Sequence, residues 1–318
     1  MNKPVDFPGI EAHLPTLDVP TTFDALLQYP PLKALLPVPI LLILAPLVWL
    51  LFKNTWATID QESRELARTD DEMDYRPIVC LVLLAVTLTL QEYFGGRSFF
   101  KSTITPFFQY LEAGGQDWVR FEKYRQLYSY AWWSFARIFG YVFVPIAVWK
   151  ILFPQDKVLD MGLRTKGFFS HLWIYALCLA VVFGAMAILS QQKEFLSYYP
   201  FYKGASRSWF DLLAWETMYF AQFLALEFYF RGWILSALHR KMGSTAIFVM
   251  VVPYCMIHYG KPYLEAHGAI VAGIVLGSLA MRTRSIYAGF LVHISVAGLM
   301  DYFALASRDG LPTRFWPE

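Results

Sequence analysis

The sequence is poor in charge. Only 16% of its 318 residues are Asp, Glu, Lys or Arg, whereas a soluble domain carries about 25% charged residues. The formal net charge is +2, and no block of basic residues forms a footprint for nucleic acid. The three cysteines, Cys80, Cys178 and Cys255, are odd in number and lie in apolar runs, which favours small apolar side chains over a disulfide framework.

The chain is instead rich in long apolar runs. Hydrophobic residues make up 57% of the chain, and several runs reach the roughly 20 residues that a helix needs to cross a bilayer. We therefore predict an all-α, polytopic membrane helix bundle with about eight transmembrane helices. The predicted spans are 34–52, 77–94, 127–152, 168–190, 210–238, 244–258, 266–281 and 285–305.

These spans suggest a division of the chain into three parts. Residues 1–205 would hold about four spans with their loops, residues 206–306 a catalytic core of about four more, and residues 307–318 a polar C-terminal tail. The polar, proline-rich N-terminus does not have the pattern of a cleaved signal peptide. The charged stretch 60–76 is predicted to be a solvated amphipathic linker. No soluble domain or internal repeat is apparent, so we expect the function to lie in the bundle.

The unusual polar residues gather in the last third of the chain. In "LALEFYFRGWIL", residues 224–235, Glu227 and Arg231 interrupt an apolar run, and each charge near a bilayer centre costs roughly 2.5–3.5 kcal/mol. Their spacing of four places them on one helix face, where they can pair. His258 ends another apolar run and His293 lies inside a third. A carboxylate and two imidazoles from adjacent helices can converge in a bundle core.

Two chemistries suit Glu227, His258 and His293. In the first, a carboxylate takes a proton from water while the histidines position that water and stabilise an oxyanion. In the second, the three side chains bind zinc and leave a fourth position for water, although the chain contains no HExxH motif. A packing role is the plainer alternative, since a Glu–Arg pair can lock two helical turns and a histidine at a helix end is often interfacial.

Two further acids stand near this set in the sequence. Glu216 lies about three helical turns before Glu227 and should point the same way. We interpret it as an interfacial anchor rather than a second acid of the cavity. Glu265 follows His258 in a turn, where it would cap the next helix or orient the imidazole.

Three motifs in this order resemble the CPBP family, the CAAX-protease and bacteriocin-processing intramembrane proteases. "LEFYFRG" (226–232) is similar to the Glu-Glu-x-x-x-Arg block of that family and "YCMIH" (254–258) to its Phe-x-x-x-His block. "GIVLGSLAMRTRSIYAGFLVHISVA" (273–297) is similar to the stretch that ends its core domain. The resemblance implies eight spans and proteolysis within or beside the membrane, with Glu227, His258 and His293 around a water.

The sequence departs from the family pattern at three positions. The first glutamate of the pair, which usually takes the base role, falls on Leu226. Adjacent residues of a helix point about 100° apart, so Glu227 does not automatically inherit that role. The family's Asn or Asp after the last histidine falls on Ala297, which removes one oxyanion donor, and Asp301 does not point the same way. Tyr in place of Phe at position 254 reads as a minor change.

We accordingly expect an intramembrane endopeptidase. Glu227 would act as general base on a water held by His258, His293 would stabilise the tetrahedral intermediate, and Arg231 would keep Glu227 ionised. The expected partners are a membrane-associated peptide or protein substrate and the lipid bilayer, and the expected location is a bacterial inner membrane. Two alternatives stay open: a catalytically inactive relative that serves as a scaffold or immunity-type protein, and a proton-coupled transporter.

Overall fold

A computed structural model describes residues 30–69, 73–165, 169, 172–189, 193–261 and 263–318 of the chain. The chain divides into two compact units, Met1–Leu50 and Leu51–Glu318. In the described ranges every regular element is a helix and none is a strand. The all-α prediction is confirmed, and the site residues all lie in the second unit.

The α-helices are numbered here in chain order. In the described ranges they are α1 Pro30–Leu35, α2 Pro37–Thr69, α3 Arg76–Phe94, α4 Arg97–Phe99, α5 Thr105–Ala113, α6 Phe121–Ile138, α7 Val144–Leu152, α8 Leu172–Leu189, α9 Lys193–Tyr198, α10 Trp209–Glu227, α11 Leu235–Met242, α12 Thr245–Met256, α13 Tyr263–Thr283 and α14 Tyr287–Ala306. Segments of π-helix, Phe100–Ile104, Phe139–Phe143 and Phe228–Ile234, join α4 to α5, α6 to α7 and α10 to α11.

Each of the eight predicted spans contains a helix of the structure. Among the described residues, five helical stretches are long and apolar enough to cross a membrane: Pro37–Arg68, Arg76–Phe94, Phe121–Leu152, Tyr263–Thr283 and Tyr287–Ala306. Helix α12, with 12 residues, is shorter than the roughly 20 that a full crossing needs. The described residues therefore contain five candidate membrane spans, while the number eight stays a prediction.

The charged stretch predicted as a linker is helical up to Thr69, and residues 70–72 lie outside the described ranges. Alanine, glutamate, glutamine and arginine in this stretch favour helix. Inside the second unit, polar contacts anchor this end of α2. The Trp56 indole donates to the Ser278 hydroxyl at 2.9 Å, and the Ser63 hydroxyl donates to the Arg240 carbonyl at 3.0 Å.

Helix α3 separates its two faces clearly. Cys80, Leu84, Thr87 and Gln91 are buried, while Ile78, Val82 and Val86 form an exposed stripe at a spacing of four. Residues four apart share a helix face. An apolar face that points away from the protein is what a bilayer requires, so this helix is arranged as a membrane span at the edge of the bundle.

The continuous stretch from α10 to α11 runs through the centre of the second unit. It begins at the N-cap Ser208, whose hydroxyl accepts a hydrogen bond from the Asp211 amide at 3.1 Å and so satisfies an amide that the first turn leaves free. Helix α10 packs against α6 and α14, α11 against α3 and α12, and the π segment between them against α13. Every residue from Ala225 to Leu235 is buried. The predicted site therefore lies in the core.

Candidate active site

Glu227 is the last residue of α10, and the π segment that follows carries Arg231. Such π segments are frequent at functional sites, since the wider turn displaces side chains from the regular helical positions. Arg231 Nη1 lies 3.3 Å from Glu227 Oε1, and both side chains have no exposed surface. The pairing predicted from the spacing of four is therefore present inside the bundle.

Glu227 also meets helix α14. His293 Nδ1 lies 2.8 Å from Glu227 Oε1. Gly289, one turn before His293 on α14, lies beside the other carboxylate oxygen, Oε2. A Cβ at position 289 would stand 2.5 Å from Glu227 Oε2, closer than atoms can pack. Glycine is needed here because the carboxylate occupies the space of a side chain.

His293 is fixed from three directions. Its Nε2 lies 3.1 Å from the Tyr254 hydroxyl, and its ring stacks on Phe223 with centroids 5.0 Å apart. A carboxylate only accepts a hydrogen and a hydroxyl can donate one. These contacts therefore favour the neutral tautomer with its hydrogen on Nδ1, toward Glu227, and its lone pair on Nε2, toward Tyr254.

Tyr254 is the central residue that the sequence interpretation missed. Its hydroxyl contacts His293, its carbonyl lies 2.8 Å from His258 Nδ1, and the Arg231 guanidinium lies 3.8 Å from the centre of its ring. Reading Tyr at this position as a minor change overlooked that hydroxyl. The signal in the sequence was a phenol inside an otherwise apolar helix, since a buried tyrosine hydroxyl usually finds a partner.

His258 joins the group through Tyr254, in the turn after α12. A backbone carbonyl can only accept a hydrogen bond, so the Nδ1 contact places the hydrogen on that nitrogen. The lone pair of Nε2 is then available to a water or a ligand. Glu227 is thus in direct contact with both Arg231 and His293, and His258 is linked to them through Tyr254.

This group concentrates polar atoms that lack hydrogen-bond partners. Six buried side-chain nitrogen and oxygen atoms of Glu227, Arg231 and His293 form no hydrogen bond within the described part of the protein. The Nδ1–Oε1 distance of 2.8 Å between His293 and Glu227 is thus short, although the N–H is not aligned on the carboxylate oxygen as a hydrogen bond requires. Burying such atoms costs stability. Groups kept in a bundle core at this cost indicate function.

A cavity of about 60 Å³ adjoins the group, with room for a few waters. Its α10 wall is formed by Tyr219, Gln222, Phe223 and Leu226, and His258 lines it from the α12 turn. Glu227, Arg231, Tyr254 and His293 are not in the wall, and Phe223, which stacks on His293, lies between the cavity and that imidazole. The remaining lining residues are Trp133, Arg137, Tyr141, Phe201, Ile257 and Lys261.

Leu226 therefore stands where the resemblance expects the first glutamate of the pair. The 100° step between adjacent helix residues turns Glu227 away from the cavity and toward α14. The exposed fraction of its side chain is 0%, against 15% for His293. A water that approaches Glu227 and His293 therefore contacts the imidazole first, because the carboxylate is fully buried.

The other predicted residues have different partners. Glu265 accepts hydrogen bonds from the Tyr199 hydroxyl at 2.8 Å and the Lys261 ammonium at 2.7 Å, so its contacts are not with His258. Asp301 is buried and accepts from the Trp215 indole at 2.7 Å. Glu216 is half-buried and has one buried carboxylate oxygen, and its role as an interfacial anchor stays a prediction.

The three residues that would bind zinc do not form a ligand set. In the part of the chain that the structure describes, no three His, Cys, Asp or Glu side chains are grouped to hold a metal ion. His293 Nδ1 faces Glu227 Oε1, while His258 Nδ1 contacts the Tyr254 carbonyl. Zinc binding stays a prediction.

Comparison with known families adds an independent observation. A family model described as type II CAAX prenyl endopeptidase Rce1-like matches residues 207–299. The resemblance to the CPBP family is confirmed. No curated protein and no solved structure matches the chain.

The CAAX-endopeptidase match coincides with the buried site. Residues 207–299 include Glu227, Arg231, Tyr254, His258 and His293, together with the helices that carry them. The matched region lies inside the segment 206–306 that the sequence suggests as a catalytic core, and the three-part division of the chain itself stays a prediction. Together with the apolar helices, the match indicates an integral membrane protein related to proteases.

Proposed function

We propose that this protein is a membrane endopeptidase of the CAAX prenyl type, which hydrolyses a peptide bond of a membrane-associated peptide or protein. The observation that carries the proposal is the buried chain of contacts from Arg231 through Glu227 and His293 to Tyr254. It joins an acid and an imidazole beside a cavity, within the region that resembles a peptidase. Eight spans and a bacterial inner membrane location belong to the same proposal.

In the proposed reaction, Glu227 and His293 accept the proton of the attacking water as one unit. Nε2 of His293 is the nitrogen that can gain a proton, because Nδ1 faces the carboxylate. The Tyr254 hydroxyl, in contact with Nε2, passes the proton on as it takes one from water. Glu227 then stabilises the imidazolium, in the way that a buried carboxylate supports histidine in other hydrolases.

The remaining residues support this step. His258 lines the cavity and holds the water by the lone pair of Nε2. Arg231, in contact with Glu227, favours the ionised carboxylate against the cost of burial. The sequence interpretation gave the base role to Glu227 alone. Its burial behind Leu226 favours action through His293, and no step requires a metal.

A cleavage assay with matched buried carboxylates tests the proposal. The purified protein in detergent is incubated with an S-farnesylated Cys-Val-Ile-Leu peptide carrying an N-terminal extension, and products are identified by mass spectrometry. We expect Glu227→Gln to lower kcat by about 10²–10⁴-fold, the usual contribution of general base catalysis. Asp301→Asn replaces another buried carboxylate of the bundle, one without contact to His293, and should remain active.

Two outcomes would contradict the proposal. The first is an absence of cleavage by the folded wild-type protein, which would favour an inactive relative that only binds peptides. The second is cleavage by Glu227→Gln at the wild-type rate, which would reduce the acid to a packing role.

A further inference from the structure

Arg137 lines the site cavity and has no part in the proposed reaction. It falls at the midpoint of the apolar stretch Phe121–Leu152, one of the candidate spans. An arginine near the centre of a membrane span is expensive, and such residues generally mark a site with a specific ionic partner. The partner of Arg137 is therefore worth identifying.

The neighbours of Arg137 in the protein are aromatic. Its guanidinium donates to the Tyr141 hydroxyl and lies 6.0 Å from the ring centre of Trp133 and 5.4 Å from that of Tyr141. No Asp or Glu among the described residues forms an ion pair with it. By contrast Lys261, the other cation in the cavity wall, is neutralised by Glu265 at 2.7 Å.

The cavity thus combines an aromatic wall with one cation whose charge the described residues do not balance. Trp133, Tyr141, Tyr219 and Phe223 supply apolar surface, while the planar guanidinium offers a fork that matches the two oxygens of a carboxylate. Burial of part of the side chain strengthens that attraction, because water screens it less.

We propose that Arg137 binds a carboxylate of the peptide substrate at the cavity and so fixes the position of the peptide. That the occupant is a peptide rests on the proposed function. The carboxylate has two possible sources, the C-terminus of the peptide and an acidic side chain. His258 lines the same cavity, so the carboxylate is held close to the bond that is cleaved.

Binding measurements test this assignment separately from catalysis. The Glu227→Gln variant, in which turnover should be slowed by about 10²–10⁴-fold, is titrated with fluorescent S-farnesylated peptides in detergent. The peptides are Cys-Val-Ile-Leu as the free acid, the same peptide as the C-terminal amide, and an amide that ends in Asp. Loss of a hydrogen-bonded charge partner should weaken binding of the plain amide by about ten- to hundredfold. Tighter binding of the free acid than of both amides assigns the C-terminus, and tighter binding of the Asp amide than of the plain amide assigns the acidic side chain.

The same titration with Arg137 substituted identifies the residue. In the Arg137→Gln background the free acid and the amides should bind equally, and Arg137→Lys should keep part of the preference because it keeps the charge without the fork. Arg125→Gln, on the same helix but exposed and paired with Glu122, is the matched control and should retain the full preference.

The proposal is overturned if the protein with Arg137 intact binds the free acid, the plain amide and the Asp amide equally, or if Arg137→Gln weakens binding of all three alike. The first arm requires no substitution of Arg137, so a folding defect cannot obscure it. A carboxylate preference that disappears in Arg137→Gln, in a protein that never cleaves the peptide, would uphold this inference while the proposed function fails.

Discussion

Replacing Gly289 by alanine should displace the Glu227 carboxylate. The added Cβ would come within 2.5 Å of Glu227 Oε2 and 3.1 Å of Cδ. Both distances are shorter than ordinary packing contacts, so the carboxylate must move away from helix α14 and from the His293 imidazole. Overpacking of this kind typically costs about 1–3 kcal/mol of stability, and displacement of a catalytic group by about 1 Å can cost about 10²-fold in rate.

Helix α14 provides its own control for this substitution. Gly298 is also within α14, and a Cβ there would meet only the Phe220 ring at 3.5 Å, an ordinary contact. Alanine is favoured over glycine in a helix by up to about 1 kcal/mol, and both variants receive that benefit. The difference between Gly289→Ala and Gly298→Ala therefore isolates the collision with Glu227.

The assay measures thermal unfolding in detergent and kcat/KM on the farnesylated peptide for both variants. We expect Gly298→Ala to match or exceed the wild-type melting temperature with full activity. Gly289→Ala should melt at a lower temperature and lose about 10²-fold in kcat/KM. A Gly289→Ala protein as active and as stable as Gly298→Ala would refute the placement of Glu227 against α14.

Three further outcomes are expected. Tyr254→Phe should lower kcat with little change in KM, because it removes the hydroxyl on His293 but keeps the ring; unchanged kcat would remove the hydroxyl from the proton path. Metal chelation should leave cleavage unaffected, since Glu227 faces His293 directly, and activity lost to chelator and restored by zinc would contradict this. Hydrogen bonds from Arg76 lower the pKa of Asp156, so Asp156→Asn should cost about 1 kcal/mol or less at neutral pH. That difference should be present above the unfolded pKa of about 3.9 and disappear as pH falls through the lower folded pKa, whereas a pH-independent melting difference would argue against the ion pair.

The helices were predictable because apolar runs of about 20 residues leave few alternatives in a membrane. The residues at which the helices end were harder to predict. Helix α2 continues to Thr69 through residues that read as a linker, since local helix preference persists after hydrophobicity falls. The π segments were not predicted at all, because a widened turn arises from packing with neighbouring helices and leaves no simple pattern in one sequence.

At the site, the sequence identified the residues but not their arrangement. Glu227 and Arg231 pair as the spacing of four requires. The 100° offset between Leu226 and Glu227 predicted that Glu227 would not simply take the place of the first glutamate. In the structure Leu226 lines the cavity and Glu227 is buried away from it. The roles of Tyr254 and Gly289 depend on which helices become neighbours, which no local pattern states.

A double-mutant cycle on Glu227 and His293 tests the central claim most directly. The single variants Glu227→Gln and His293→Gln and the double variant are compared by kcat on the farnesylated peptide. If the acid and the imidazole accept the proton as one unit, the double variant should be about as slow as the slower single variant, since groups that act together give non-additive losses. Losses that multiply in the double variant would show two independent roles and contradict the account.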